Sequence, residues 1–378
     1  MVSKSYIDAF IPAGKNATEC VNCGLCLQKC PVMKMEKEES KAEMKRLLNN
    51  EEPKRVLNEC TFCYSCNHYC PQGLKPYALF LELMVAKKQE SGEGVSPAME
   101  YMFTGKHESG YFFDQYNAAP DEDKAILERW KNLPDRSKDV LFIGCVGRTM
   151  PQTIEYSKTL ESLTKYGPRD ACCGEIPYRM GDYQSFIEIV ERTQKHLEPL
   201  KTERLVCYCG SCSNYLGNFW PNYHGIKLPF EVISLWEWLW EKYKAGELKM
   251  QRSLSSEVAL TDSCYSSELG DGFYEAIRGL HEAAGMKIIE LENNRYDNLC
   301  CGFASGIRGD YKNKYVGIVA QKKFDQILAT KANAVSCYCP GCWDNLIGLG
   351  KKNNVKVHFA INKVLWAFGD DAPTSKKK

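Results

Sequence analysis

From Asp139 onward, short apolar runs alternate with longer amphipathic stretches, the pattern of buried parallel strands joined by helices. Val140-Leu141-Phe142-Ile143 reads as a buried strand, and a helix over 151–166 follows, opened by Pro151. The spacing then predicts a helix of about 182–197 and a short strand at Leu205-Val206. The same order returns further on: strand Val258-Ala259-Leu260, a helix near 271–284, strand Lys287-Ile288-Ile289, a helix over 312–329 and strand Ala334-Val335. Between the two series, Val232, Leu235, Trp236, Leu239, Trp240 and Tyr243 recur at helical spacing, with Trp238 off the stripe. The stripe reads as core. A partner-binding helix is the alternative, since three tryptophans in five residues exceed what one stripe needs.

The first part of the chain differs. Met33 to Leu57 reads as charged and helical, with no turn signal until Asn49-Asn50, and residues 74–88 extend that character with an apolar stripe. Residues 89–137 mix Gly, Ser and Pro with aromatics, including Tyr111-Phe112-Phe113, and read as a linker whose aromatics cover a junction. The pattern predicts an α/β fold with an all-α N-terminal part, divided as 1–88, 89–137, 138–250 and 251–370.

Cysteine placement sharpens this division. The chain has 20 cysteines, all inside four motifs. Cys145, Cys172-Cys173-Gly174 and Cys207-Tyr208-Cys209-Gly210-Ser211-Cys212 form one unit; Cys264, Cys300-Cys301-Gly302 and Cys337-Tyr338-Cys339-Pro340-Gly341-Cys342 repeat it. Aligning Cys172 on Cys300 also brings Gly181-Asp182-Tyr183 onto Gly309-Asp310-Tyr311 without a gap, which marks a duplicated unit. The copies differ in loop length: 26 residues separate Cys145 from Cys172, and 35 separate Cys264 from Cys300. In both copies the predicted strands deliver cysteines at their carboxyl ends, where α/β sites lie. Two such lobes facing each other would bring their thiols near one junction.

Adjacent thiols cannot both point at one small tetrahedral ion without strain, but they can ligate neighbouring irons of a cluster. The Cys-Cys-Gly (CCG) units therefore suit a multinuclear iron–sulfur site, with zinc as the alternative. In the N-terminal part, Cys20-x-x-Cys23-x-x-Cys26-x-x-x-Cys30-Pro31 and Cys60-x-x-Cys63-x-x-Cys66-x-x-x-Cys70-Pro71 write the bacterial ferredoxin run twice. The fourth thiol of such a run is free to ligate the other cluster. Cys20, Cys23, Cys26 and Cys70 are thus assigned to one cubane [4Fe–4S] cluster, and Cys60, Cys63, Cys66 and Cys30 to the second. The fold expected is a helical ferredoxin module followed by two duplicated α/β CCG lobes.

Composition narrows the function classes. Lys and Arg number 49 against 48 Asp and Glu, a net charge of +1, so neither a nucleic-acid nor an anionic-membrane footprint is visible. No early stretch reads as a signal peptide and no apolar run reaches the ~18 residues of a membrane span. Cysteines in ligand spacing then point to metal in a reducing, cytoplasmic setting. The sequence contains no G-x-G-x-x-G or G-x-x-x-x-G-K-[ST] match and no hydrolase nucleophile motif. Electrons are therefore expected from elsewhere, from a flavoprotein or other redox partner.

Tandem ferredoxin runs joined to two CCG units resemble the heterodisulfide reductase family, in its D-subunit type, over nearly the whole stretch from Cys20 to Cys342. The resemblance implies one or two non-cubane [4Fe–4S] clusters in the CCG units, with zinc the alternative in the first. By position their ligands would be Cys145, Cys172, Cys173, Cys209 and Cys212, and Cys264, Cys300, Cys301, Cys339 and Cys342. It further implies reduction of a disulfide between two thiol coenzymes, for which Cys300 and Cys301 are the candidate catalytic pair. Cys207 and Cys337 are either spare ligands or thiols packed behind the site. Iron–sulfur subunits of glycolate and lactate oxidation and of aromatic acyl-CoA reductases look similar, so the fold alone does not fix the substrate. Two functions stand open: catalysis at the CCG units, or electron relay to a reductase elsewhere. Relay is preferred, because a thiol-coenzyme pocket calls for basic residues and only Arg169, Arg179 and Arg308 lie close to the paired cysteines.

Overall fold

Two parallel four-stranded sheets with identical strand order carry the C-terminal two-thirds of the chain. The computed structural model describes residues 19–49, 51–92, 100–101, 110–303 and 314–371. Gly309-Asp310-Tyr311, Arg308 and the first two positions of the 312–329 helix lie outside them; that helix is seen over Lys314–Ala329. The first sheet comprises β1 (Ser137–Phe142), β2 (Thr164–Tyr166), β3 (Thr202–Cys207) and β4 (Glu231–Ser234), ordered β2-β1-β3-β4. The second comprises β5 (Ser256–Thr261), β6 (Met286–Glu290), β7 (Ala334–Cys337) and β8 (Lys356–Phe359), ordered β6-β5-β7-β8. The α/β class with a helical N-terminal part is the architecture observed.

The copies differ where their cysteine spacing differs. The helix expected over 151–166 stops at Glu155, and turns lead from there into β2. In the second copy the same crossover is the 13-residue helix Asp271–Ala283. The short interval still leaves Cys145 beside Cys172.

The tryptophan stripe also resolves differently from its periodicity. Val232 belongs to β4, and the helix spans Leu235–Lys244, started by a capping box between Ser234 and Glu237. Trp238, off the stripe, is buried, and its indole N–H donates to Asp139 Oδ2 at 2.9 Å. Asp139 also receives a forked pair from its register partner Arg204, at 2.7 and 2.9 Å. Trp236 stacks on His281 of the second lobe, and Trp240 N–H reaches Glu275 at 3.0 Å. A Cβ on Gly279 would lie 2.4 Å from the Trp240 ring, so glycine lets the two helices meet. Trp236 and Trp240 join the lobes, and Trp238 is anchored inside the first lobe, so all three indoles are used in packing.

His281 lies fully buried in this seam. Its Nδ1 donates to the Ile277 carbonyl at 2.6 Å, so the neutral ring accepts the Ser336 hydroxyl at Nε2, 2.8 Å away. Burial pulls its pKa down to about 4. The unfolded chain, titrating near 6.5, takes up the proton first, so stability is full above ~6.5 and declines as pH falls toward 4. A loss on the order of 3 kcal/mol is expected across that window. Denaturant midpoints of the anaerobic protein between pH 7 and 4.5 check this: His281→Leu should flatten the slope by about one proton, and equal slopes would refute it.

The N-terminal module is helical. The helical stretch read over 33–57 is two helices, Lys37–Leu48 and Val56–Glu59: the first ends at Asn49, where the Asn49-Asn50 turn signal stands in the sequence, and the start of the second is held by Glu43. Its buried carboxylate accepts the backbone N–H groups of Lys54, Arg55 and Val56 at 3.0, 2.7 and 3.0 Å, fixing the second helix's start. The helix Pro76–Ser91 and the helices Tyr111–Ala118 and Asp121–Trp130 follow. Arg169 of the first lobe sits over the rings of Phe113 and Tyr116, which ties this segment to that lobe.

Candidate metal centre

In both sheets the chain runs one way from its first strand to the second and the other way to the third. The switch point lies between β1 and β3, and between β5 and β7, where backbone spreads and sites form. Cys145 and Cys264 follow β1 and β5, and Cys209 and Cys339 follow β3 and β7. The last two cap helices with nearly the same backbone angles, φ −100° and ψ 130° against φ −99° and ψ 128°. The paired cysteines come from the loops after β2 and β6. Glycine must follow them because the backbone there is left-handed, with φ +81° at Gly174 and +87° at Gly302.

The thiols stand in the same order in both lobes. Cys145, Cys172, Cys173, Cys212 and Cys209 form a row in which each interacts with the next. Cys264, Cys300, Cys301, Cys342 and Cys339 form the matching row. All ten line one cavity of about 100 Å³ between the lobes, with Glu175, Arg179, Tyr265 and Phe303. Cys207 and Cys337 do not line it. They end β3 and β7, fully buried, and burial lifts both thiols above their ordinary range. They are packed behind the site.

The donor set tests what fits here. Donation to a neighbouring thiolate, with burial, holds Cys145, Cys173, Cys264 and Cys342 above the ordinary thiol range. Cys172 and Cys301 are held below it by the thiols on either side. Thiolates crowded in a buried wall need compensating positive charge. Five thiols per row exceed the four ligands of a structural zinc and suit an iron–sulfur group.

The ferredoxin runs show a second level of duplication. Cys20, Cys23, Cys26 and Cys70 line one small cavity with Met44 and Pro76. Cys60, Cys63 and Cys30 surround Cys66, whose thiol burial and these neighbours raise. Each run wraps its thiols with two left-handed residues at equal positions, Asn22 and Gly24 in one and Phe62 and Tyr64 in the other. The φ of +51° at Phe62 is strained for a bulky residue. The two levels meet: Cys63 and Cys300 share an apolar cluster with Val32, Leu299 and Val319, with Cys30 and Cys264 packed against it.

Sequence reasoning missed several residues at the site. Arg148 is buried beside the first thiol row and donates to the carbonyls of Ile143, Pro168 and Ala171 at 3.3, 2.7 and 3.0 Å. Lys323, also buried, donates to three acceptors at 2.7 Å near Cys301. Tyr265 lies against Gly210 of the other lobe, where a Cβ would come within 2.2 Å of the ring. Its one sequence signal is that it follows Cys264 where the first copy has Val146.

Fold and thiol geometry define an iron–sulfur oxidoreductase component. Residues 16–74 match the 4Fe-4S dicluster domain, and residues 140–217 and 258–346 match the cysteine-rich domain, CCG. The chain is like the D subunit of the heterodisulfide reductase family, and these domains carry 4Fe–4S clusters. It is 26% identical over 339 residues to the D subunit of the dihydromethanophenazine:CoB--CoM heterodisulfide reductase of Methanosarcina mazei, covering 83% of this chain and 78% of that one. It is similarly 26% identical over 384 residues to the B subunit of the fumarate reductase (CoM/CoB) of Methanothermobacter marburgensis, covering 94% and 73%. With the EtfAB:quinone oxidoreductase of Syntrophomonas wolfei it shares 22% over 334 residues, covering 82% and 46%. Among the described residues no helix is long and apolar enough to cross a membrane.

Proposed function

We propose that this chain is the electron-transferring iron–sulfur component of a larger redox complex, receiving electrons from a flavoprotein partner at the ferredoxin module and delivering them to the CCG units. The observation that carries this reading is the continuity of the thiol sets. Cys66 neighbours Cys26, Cys63 neighbours Cys300, and the second thiol row then shares a cavity with the first. The series begins at half-buried Cys20 and Cys23, within reach of a partner, and ends in a buried wall. Cubane clusters on the two ferredoxin ligand sets and non-cubane clusters on the two CCG sets would supply one-electron steps. The residues around them exclude water: Leu299, Val32 and Val319 fill the gap between module and second lobe. The division at 88, 137 and 250 and a cytoplasmic setting belong to the same proposal.

A second reading, disulfide reduction at Cys300 and Cys301, is favoured by the cavity that both rows share. Against it stands the cavity's charge. Among its described lining residues the basic one is Arg179, whose two Nη groups already serve protein acceptors. Two measurements decide. Anaerobic metal analysis should give about sixteen irons per chain, eight for each pair of clusters; zinc near two with iron near eight would sink the cluster reading of both CCG units. The dithionite-reduced chain should keep its electrons when offered a small mixed disulfide alone. Rapid reoxidation without a partner would replace relay by catalysis.

A further inference from the structure

Arg179 touches all three parts of the molecule. It ends the helix Glu175–Arg179, which begins right after the paired cysteines of the first lobe. Its side chain is buried, and both Nη atoms lie 3.7 Å from the sulfur of Cys264 in the second lobe. One Nη also donates to Glu175 at 2.7 Å, and the other to the carbonyls of Phe62 and Thr61 at 2.6 and 3.3 Å. Those carbonyls belong to the loop between Cys60 and Cys63. The guanidinium further faces the ring of Tyr64, 5.7 Å away.

We propose that Arg179 is a positioning residue that sets the redox level of the second CCG unit and holds the Cys60–Cys63 loop against it. The proposal rests on the reading of Cys264 as a cluster ligand. Two effects support it. A cation donating to a ligand sulfur in a low-dielectric wall stabilises the more negative, reduced state, and hydrogen bonds to sulfur and local charge are what tune such centres. The same fork gives the strained Phe62 a fixed carbonyl partner, which a left-handed bulky residue needs in order to persist. Arg148, the arginine near the first thiol row, gives its three hydrogen bonds, all from Nη1, to backbone carbonyls and none to a sulfur, although its charge is felt by Cys145, Cys172 and Cys212. The two lobes, alike in sequence motif and sheet order, are thus made unlike by one side chain of the first reaching into the second. Glu175, paired with Arg179 and also lining the cavity, partly offsets the charge.

The test uses the anaerobic, iron-loaded full chain and a redox titration followed by electron paramagnetic resonance. The signal of the second CCG unit is identified as the one lost in Cys264→Ser. In Arg179→Gln that signal should shift to a more negative midpoint at unchanged iron content, and Arg179→Lys should recover part of the shift. Glu175→Gln, which keeps the arginine and removes its counter-charge, should move the midpoint the opposite way, an outcome that a merely structural role does not produce. Unchanged midpoints in all three variants, or shifts of one sign for both charge removals, overturn the proposal, as does iron loss in Arg179→Gln with no shift in Glu175→Gln. Eight irons in the wild type and no signal lost in Cys264→Ser would instead overturn the ligand reading beneath it, and the proposal with it.

Discussion

Replacing Glu268 with alanine should cost about 3 kcal/mol of folding stability and loosen the ferredoxin module from the second lobe. Its carboxylate is 4% exposed and reaches across the junction. Oε1 accepts from Asn67 at 3.0 Å and lies 3.5 Å from the His68 ring, while Oε2 lies 4.0 Å from Lys75 Nζ and accepts from Asn218 at 3.4 Å. Removing it leaves buried Asn67 short of an acceptor, whereas His68 and Lys75 are exposed enough to regain water, which keeps the cost below that of stranding a buried charge. Burial raises this carboxyl's pKa, but His68, Lys75 and Asn67 outweigh it and hold the group below the ordinary range. Its contribution is therefore present above the unfolded value of about 4.3 and is lost as pH falls through the lower folded value. Glu268→Gln should remove that acid-dependent part while keeping the side chain's shape. Denaturant unfolding of wild type and both variants checks this. A loss under ~1 kcal/mol in the alanine variant would show that the junction does not depend on this carboxylate.

Changing Cys30 to serine should strip the cluster whose other ligands are Cys60, Cys63 and Cys66, a loss of up to about four irons. Cys30 comes from the first run, yet its thiol is pushed up to about 12 by burial and then by Cys63 and Cys60 of the second. Cys70, from the second run, lies with Cys20, Cys23 and Cys26. Iron content and the resonance spectrum of the reduced variant read the outcome. If the signal of the cluster on Cys20, Cys23 and Cys26 were the one to vanish, each run would serve its own cluster and the crossing would be wrong.

Features that depend on near neighbours in the chain were legible before any folding was considered. Buried parallel strands are continuous apolar runs, so Val140 to Ile143 and Val258 to Leu260 could be read directly, and short Cys spacings announce ligands because a loop can wrap only what it carries. The duplication, too, is a property of order along the chain. Other features came from packing. Edge strands β2, β4 and β8 are three or four residues long, too short to set a period, and they exist because a neighbouring strand completes their hydrogen bonds. The restart of the helix at Val56 needs the carboxylate of Glu43, and the burial of Trp238 needs Asp139 from a strand 99 residues earlier. Nor could periodicity show that both thiol rows face one cavity, or that Arg179 serves three parts at once. Such contacts join residues far apart in the chain, and only the packing of the lobes and module fixes which donor meets which acceptor.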